Sequence, residues 1–270
     1  MTMKIIIGVL IALVIACVAL LVMRSRFIAH LDTLEAHLRK PAVSHNARTD
    51  LPVEVAALAA RLGADPDSTS SYISFKQTGQ MWQSPGAKPM KFTASQTINL
   101  NAPEFLWRAS FGGIILVADY FAARSGGMEV MLLGAVPIGS VVESADANKG
   151  EIMRYLAELP FSPDAILFNN ALDWTVVDTK TINVASGSGN SRGEVTLYLD
   201  DSGLINRMRA ESRPYAEKDG KFSHYPWVGR LWDYQTVHGR LIPLQGEVAW
   251  ELEAGEFVYW RGKNLHWQGG

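Results

Sequence analysis

The chain has 270 residues, 48% of them hydrophobic and 19% charged, with 25 basic against 27 acidic side chains. That balance argues against a disordered chain and gives no electrostatic footprint for nucleic acid. The single cysteine, Cys17, lies inside an apolar run, so the rest of the chain has no thiol for a disulfide, a zinc site or a nucleophile.

Residues 5–23 carry no charge, and at 1.5 Å per residue such a run approximately spans the hydrocarbon layer of a bilayer. A transmembrane anchor is the expectation. Lys4 precedes the run and Arg24 and Arg26 follow it, a nearly even vote on orientation. A long folded part behind so short an N-terminus reads as a signal-anchor, with the globular domain outside the cytoplasm. Two alternatives stay open. Val14-Ile15-Ala16-Cys17 resembles a lipobox, although the residues after Cys17 are apolar rather than a polar linker, and a cleaved secretion signal is the other.

Phe27, Ile28, Leu31, Leu34 and Leu38 recur at three- and four-residue spacing, so an amphipathic juxtamembrane helix should follow, ending at Pro41. Residues 41–50 read as a polar hinge, so the helix suggests a stalk. A second helix is expected over 53–62, between Pro52 and Gly63, then a loop over 64–71. The domain division is 1–26 anchor, 27–70 juxtamembrane helices and hinge, and 71–270 a β-rich globular domain.

From Tyr72 the period changes to alternation. Strands are predicted at 72–79, 90–99, 104–110, 113–121, 128–134, 174–179, 181–186, 193–199, 204–211, 229–237, 245–252 and 256–262. Gly- and Asp-rich turns such as Ser125-Gly126-Gly127 and Asp200-Asp201-Ser202-Gly203 separate them, which implies antiparallel hairpins in series. Val195, Leu197 and Leu199 alternate with Glu194, Thr196 and Tyr198, giving one buried and one wet face. The series is interrupted by two short helices at 150–159 and 162–168, with Ser162 a candidate cap. The fold class is therefore mainly β (α+β): a curved antiparallel sheet or half-open β-barrel with a helical insertion over its concave face, behind an N-terminal transmembrane helix.

Most motif-like stretches dissolve on inspection. Residues 187–193 are Gly-rich, but a strand rather than a helix follows, so they form a hairpin loop and not a phosphate loop. Six histidines show neither zinc-site spacing nor a triad order. Asp200-Asp201 belongs to a turn. Arg154 and Glu158 share a helix face at i,i+4, either as an exposed salt bridge or as a tie between the inserted helix and the sheet at the polar end of a pocket. Asp119 lies among Ile115, Val117 and Phe121 on one strand face, where a carboxylate needs a partner, and Arg154 is the obvious one. Trp82, Trp107, Tyr120, Trp174, Trp232, Trp250 and Trp260 either line a cleft or fill an ordinary core.

Phe75-Lys76-Gln77-Thr78-Gly79-Gln80-Met81, Ala94-Ser95-Gln96, Phe105-Leu106-Trp107, Ala118-Asp119-Tyr120, Arg154-Tyr155-Leu156-Ala157-Glu158-Leu159-Pro160 and Gly239-Arg240-Leu241-Ile242-Pro243 resemble a bacterial family of unknown function, DUF6544 or DUF6920. The resemblance covers about residues 70–267 and implies no activity. It marks Gln77, Gln96, Trp107, Asp119, Arg154 and Glu158 as positions of interest. The order of strands, helix-Pro-helix and strands is also similar to envelope lipoprotein carriers of the LolA/LolB/LppX type, an analogy of fold.

The expected role is a membrane-anchored envelope protein that binds a lipid or other hydrophobic ligand without catalysis. Its ligand-binding positions are Trp107, Asp119, Arg154, Glu158, Trp250 and Trp260, with no cofactor, no metal and no nucleic-acid partner. Protein partners are not indicated. The alternatives are a structural module of a membrane complex, which predicts a filled barrel, and an enzyme using Asp119, Arg154 and Glu158, which predicts that these cluster in a cleft.

Overall fold

The apolar N-terminal run contains no helix breaker before Pro41, and in the computed structural model it forms one helix, α1 (Thr2–Leu38). The structure describes residues 2–41, 46–217 and 219–270, so part of the expected hinge, with Ser44 and His45, lies outside the described residues. Among the described residues one helix, α1, is long and apolar enough to cross a membrane, and none of its most apolar stretch is buried. The amphipathic continuation is not a free stalk. Phe27, Leu31 and Leu38 are buried against Leu106, Ala118 and Ala122 of the sheet. Arg108 Nη1 reaches Asp32 at 2.8 Å and Glu35 at 2.9 Å, and Asn99 Nδ2 donates to Leu38 O at 2.8 Å, satisfying a terminal carbonyl of the helix.

Helix α2 (Val53–Arg61) starts after Pro52 and buries Val55, Leu58 and Ala59. Gly63 follows with φ 74°, and a Cβ there would lie 2.3 Å from Gly239 O, so only glycine lets this turn meet the later hairpin.

Among the described residues thirteen strands then form one antiparallel sheet: β1 (Tyr72–Met81), β2 (Met90–Asn99), β3 (Phe105–Phe111), β4 (Ile115–Ala122), β5 (Ser125–Leu132), β6 (Val136–Val141), β7 (Asp173–Asp178), β8 (Thr181–Ser186), β9 (Gly193–Leu199), β10 (Ile205–Ala216), β11 (Phe222–Val237), β12 (Arg240–Leu252) and β13 (Gly255–Gly269). Their spatial order is β6-β5-β4-β3-β2-β1-β13-β12-β11-β10-β9-β8-β7. The chain meanders outward to the β6 edge, jumps to the β7 edge, and meanders back until β13 pairs with β1. The jump is the helical insertion: α3 (Ala145–Ala157), a 3-10 turn (Leu159–Phe161) and α4 (Asp164–Phe168). Because it joins the two edges of a curled half-barrel, it must cross the concave face.

Alternation assigns the faces. On β3 and β4, Leu106, Ala118 and Ala122 meet α1 on the convex side, while Phe105, Trp107, Val117 and Asp119 point inward. The main core lies under the insertion, where Tyr155, Leu156, Leu159, Phe161 and Ile166 pack against Ile73, Phe75, Ile98, Phe105, Val184, Leu197 and Trp267.

Three expectations need correction. Strand β6 was not predicted, because Pro137 and Gly139 hide its alternation; both are tolerated on an edge strand. Helix α3 starts at Ala145 rather than Gly150, capped by Ser144, whose Oγ accepts from Ala147 N at 3.0 Å. Ser162 provides no side-chain cap; Pro163 precedes α4, and it is the Ser162 carbonyl that accepts from Ala165 N.

Candidate functional site

The inserted helices do not fill the concave face. A cavity of about 530 Å3 remains between α3 and the sheet. Its apolar wall comes from alternate positions on many strands, among them Met81, Met90, Trp107, Phe111, Val117, Val130, Trp250 and Trp260. The aromatic residues interlock: Phe92 meets Trp107 edge-on with centroids 5.5 Å apart and lies against Trp260 at 5.9 Å, while Trp250 stacks on Tyr259 at 6.0 Å. A buried polar seam holds this wall. Trp107 Nε1 donates to Gln77 Oε1 (2.7 Å), Gln77 Nε2 to Asn264 Oδ1 (2.9 Å), and Asn264 Nδ2 to Pro243 O (3.0 Å), tying β3, β1, β13 and β12 together.

The polar end is built on α3. Arg154 forms ion pairs with Asp119 and, at 3.1 Å, with Glu158, so the expected Asp119 partner is present. Both pairs are mostly shielded, each side chain about one-sixth exposed or less, which sets them apart from a surface helix salt bridge. Arg154 also lies over the rings of Phe105 (4.7 Å) and Trp107 (5.4 Å), and Gln96 Nε2 donates to Glu158. Burial works against its charge, but Glu158, Asp119 and Glu151 outweigh that and hold the guanidinium more firmly protonated than usual.

One turn before Arg154, Glu151 behaves in the opposite way. Burial first, then the Asp119 charge, push its carboxyl well above the ordinary 4.5, only partly offset by Arg213 and Arg154. Asp119 Oδ1 and Glu151 Oε2 are both buried without a donor among the described residues. A proton retained by Glu151 supplies a donor in a place where these buried oxygens otherwise have none.

All six sequence-predicted positions, Trp107, Asp119, Arg154, Glu158, Trp250 and Trp260, line this one cavity, and Gln77 joins them. The remaining aromatics divide: Trp82 also lines the cavity, Tyr120 and Trp174 fall under the core alternative, and Trp232 fits neither reading. Tyr120 packs on the convex side with the α1 cluster, Trp174 joins the core beside β7, and Trp232 is exposed. Sequence reasoning missed Glu151, Arg213 and Trp227. Arg213 follows a bulge in β10, where Ala210 pairs with Trp227 and Arg213 with Tyr225, so three steps on one strand match two on the other. Glu211 and Ser212 both face outward, and simple alternation fails there.

Exposed apolar side chains rim the β3–β4 and β5–β6 turns: Ile114, Leu132, Leu133, Val136 and Ile138. Leu133 N donates to Ile114 O at 2.6 Å, joining the turns, and Arg24 Nη1 donates to Leu133 O at 2.6 Å. Arg24 immediately follows the uncharged run of α1, so the rim lies where that run ends. Ile138 belongs to both rim and cavity wall. Among the described residues, no group of three or more His, Cys, Asp or Glu is arranged to hold a metal ion.

The family model for DUF6544, a family of unknown function, matches residues 41–262. The chain belongs to DUF6544. The match takes in the whole cavity wall of this DUF6544 protein and leaves out α1. No curated protein sequence matches the chain. Among solved structures, the DUF6544 chain is similar to a LolA superfamily protein from Nitrosomonas europaea, with TM-score 0.45 and 10% identity over 80% of this chain and 94% of that one. It is also similar to a DUF1329 family protein from Desulfovibrio piger, with TM-score 0.47 and 10% identity over 80% and 91% of the two chains. Likeness at this level carries nothing about ligand or activity, which must be read from the cavity's own residues.

Proposed function

We propose that this protein is a membrane-anchored binder of a lipid or comparable amphiphile, held in the half-barrel without being chemically changed. The observation that carries the reading is the hollow: a space of about 530 Å3 walled by aromatic and aliphatic side chains, with most of its charged groups on or facing the α3 segment, has the size and lining of a ligand pocket. A purely structural module would bury those side chains against one another. The placement of α1 supports a supply of ligand from the bilayer, because its uncharged run ends at Arg24 beside the apolar rim that continues into the cavity. The packing of Phe27, Leu31 and Leu38 onto the sheet supports retention of the helix as an uncleaved anchor.

Native mass spectrometry of the full chain extracted in mild detergent tests the reading, together with displacement of an environment-sensitive hydrophobic dye by long-chain lipids. The expected result is a co-purifying lipid and saturable dye uptake. A protein that carries no lipid and takes up no dye overturns it.

One observation favours a second reading. Asp119, Arg154 and Glu158 do cluster in the cleft, and the protonated Glu151 beside them is placed as a general acid. Under that reading, incubation with ester lipids gives products by mass spectrometry, lost in Asp119→Asn. Unchanged lipids after long incubation dispose of it.

A further inference from the structure

Seven ionisable acidic or basic side chains line the cavity: Asp119, Asp146, Glu151, Arg154, Glu158, Arg213 and Glu247. Six of them have a charged or titratable partner. Asp119 and Glu158 hold Arg154, Glu151 lies against the Asp119 charge, Asp146 faces His224 at 3.0 Å, and Glu247 holds Arg230 at 3.3 Å and Arg261 at 2.7 Å. Arg213 is the exception. Its charge acts on Glu151, partly offsetting the rise of that carboxyl's pKa, but among the described residues no carboxylate lies within ion-pair distance of it, and its one hydrogen bond runs from Nε to Gly150 O on α3 at 3.2 Å. Its guanidinium lies over two indoles that are cross-strand neighbours, 4.7 Å from the Trp227 centroid and 5.3 Å from that of Trp250. The residue is 8% exposed, and the β10 bulge is what turns it inward.

A guanidinium has five N–H donors in a planar fork suited to a carboxylate or phosphate. Here one donor is used, and two π faces replace part of the lost hydration. Taking a cation out of water with so little compensation is unfavourable unless something in the cavity completes it. The two adjacent indoles beneath the fork are apolar surface for whatever is attached to that anion.

We propose that the ligand is an anionic amphiphile whose carboxylate or phosphate head is seated on Arg213, with the first part of its chain against Trp227 and Trp250 and the remainder along the Trp107–Trp260 wall. This rests on the cavity being a binding site and adds the charge of its occupant. An uncharged head leaves the fork unfilled, and a cationic head meets it with repulsion.

The full chain in mild detergent, at mildly alkaline pH, is titrated by dye displacement with four probes of equal chain length: a fatty acid, a monoalkyl phosphate, a fatty alcohol and an alkyltrimethylammonium. The acid, the phosphate or both are expected to bind roughly tenfold or more tighter than the alcohol, as one charge-assisted fork contact implies. Which of the two anions leads identifies the head group. Arg213→Gln should erase that preference, bringing the acid and the phosphate to the alcohol's affinity, while a cooperative thermal unfolding transition shows that the variant is folded; Arg213→Lys should keep part of the preference. Equal binding of acid, phosphate and alcohol, an anion preference that survives Arg213→Gln, or tightest binding of the ammonium probe overturns the anionic head while leaving the cavity reading intact. If no probe binds, the cavity reading itself fails and takes this one with it.

Discussion

The concave face of the sheet is solid at one end and hollow at the other, and the same inserted segment produces both. Where the chain turns through Leu156, Leu159 and Ile166, side chains are fully buried against the sheet; toward Asp146, Gly150 and Arg154, α3 presents small or charged groups to strands that carry large aromatics. Residue size across the gap therefore decides which end is a core and which a pocket. The solid end should bear the stability. Tyr155 is 1% exposed there, and its hydroxyl donates to Asn99 O at 3.1 Å and accepts from Asn169 Nδ2 at 3.0 Å. Tyr155→Ala should cost about 3–5 kcal/mol in denaturant unfolding, through a cavity and two orphaned polar groups. A loss below about 1 kcal/mol would mean that the two ends are not different in kind.

The polar end differs from both, because its stability depends on pH. Glu151 keeps its proton in the folded chain to a pH well above 4.5, the value at which the unfolded carboxyl releases it. Between those two points the folded state binds more protons than the unfolded one, so stability falls as pH rises, by up to about 1.4 kcal/mol per pH unit from this group. Glu151→Gln keeps the shape and a donor there but has no proton to lose. Denaturation midpoints should coincide for the two proteins at pH 4 and below, then separate in favour of Glu151→Gln as pH rises past 4.5. Parallel midpoints across the whole range would show that Glu151 does not retain its proton.

The hollow wall should respond least in stability and most in binding. Trp260 is half-buried, with Phe92 on one side and the cavity on the other. Trp260→Ala removes contacts from one face only, so about 1 kcal/mol of stability should go while dye uptake weakens several-fold. A loss as large as that of Tyr155→Ala would place Trp260 in a packed core.

The sequence made the sheet legible wherever alternation ran unbroken, as in Gly193–Leu199, and the pairing of Asp119 with Arg154 followed from one carboxylate on an apolar strand face. What escaped was whatever broke the period. Pro137 and Gly139 disguised the β6 edge, and the bulge at residues 211–212 reversed the facing of Arg213. Trp227 belongs to a strand that starts at Phe222, several residues before its pattern becomes regular. Glu151 looked like one polar residue among several on a helix, because only the folded sheet brings Asp119 against it. A hollow has no periodicity at all: it depends on how far apart two faces stand.

That separation can be tested by closing it. Val117 lies on the inward face of β4, lines the cavity, and sits next but one to Asp119 on the same strand, so a larger side chain there projects into empty space rather than into a neighbour. If the space is real, Val117→Phe should fold with its stability changed by less than about 1 kcal/mol, since filling a void gains apolar contact without forcing side chains out of their rotamers. Dye and lipid uptake should fall at the same time, because the added ring occupies part of the volume a chain would use. If the concave face is in truth closed by movement of α3, the same substitution overpacks it and should cost about 1–3 kcal/mol. The sign and size of this one change distinguish a standing pocket from one that opens only around its ligand.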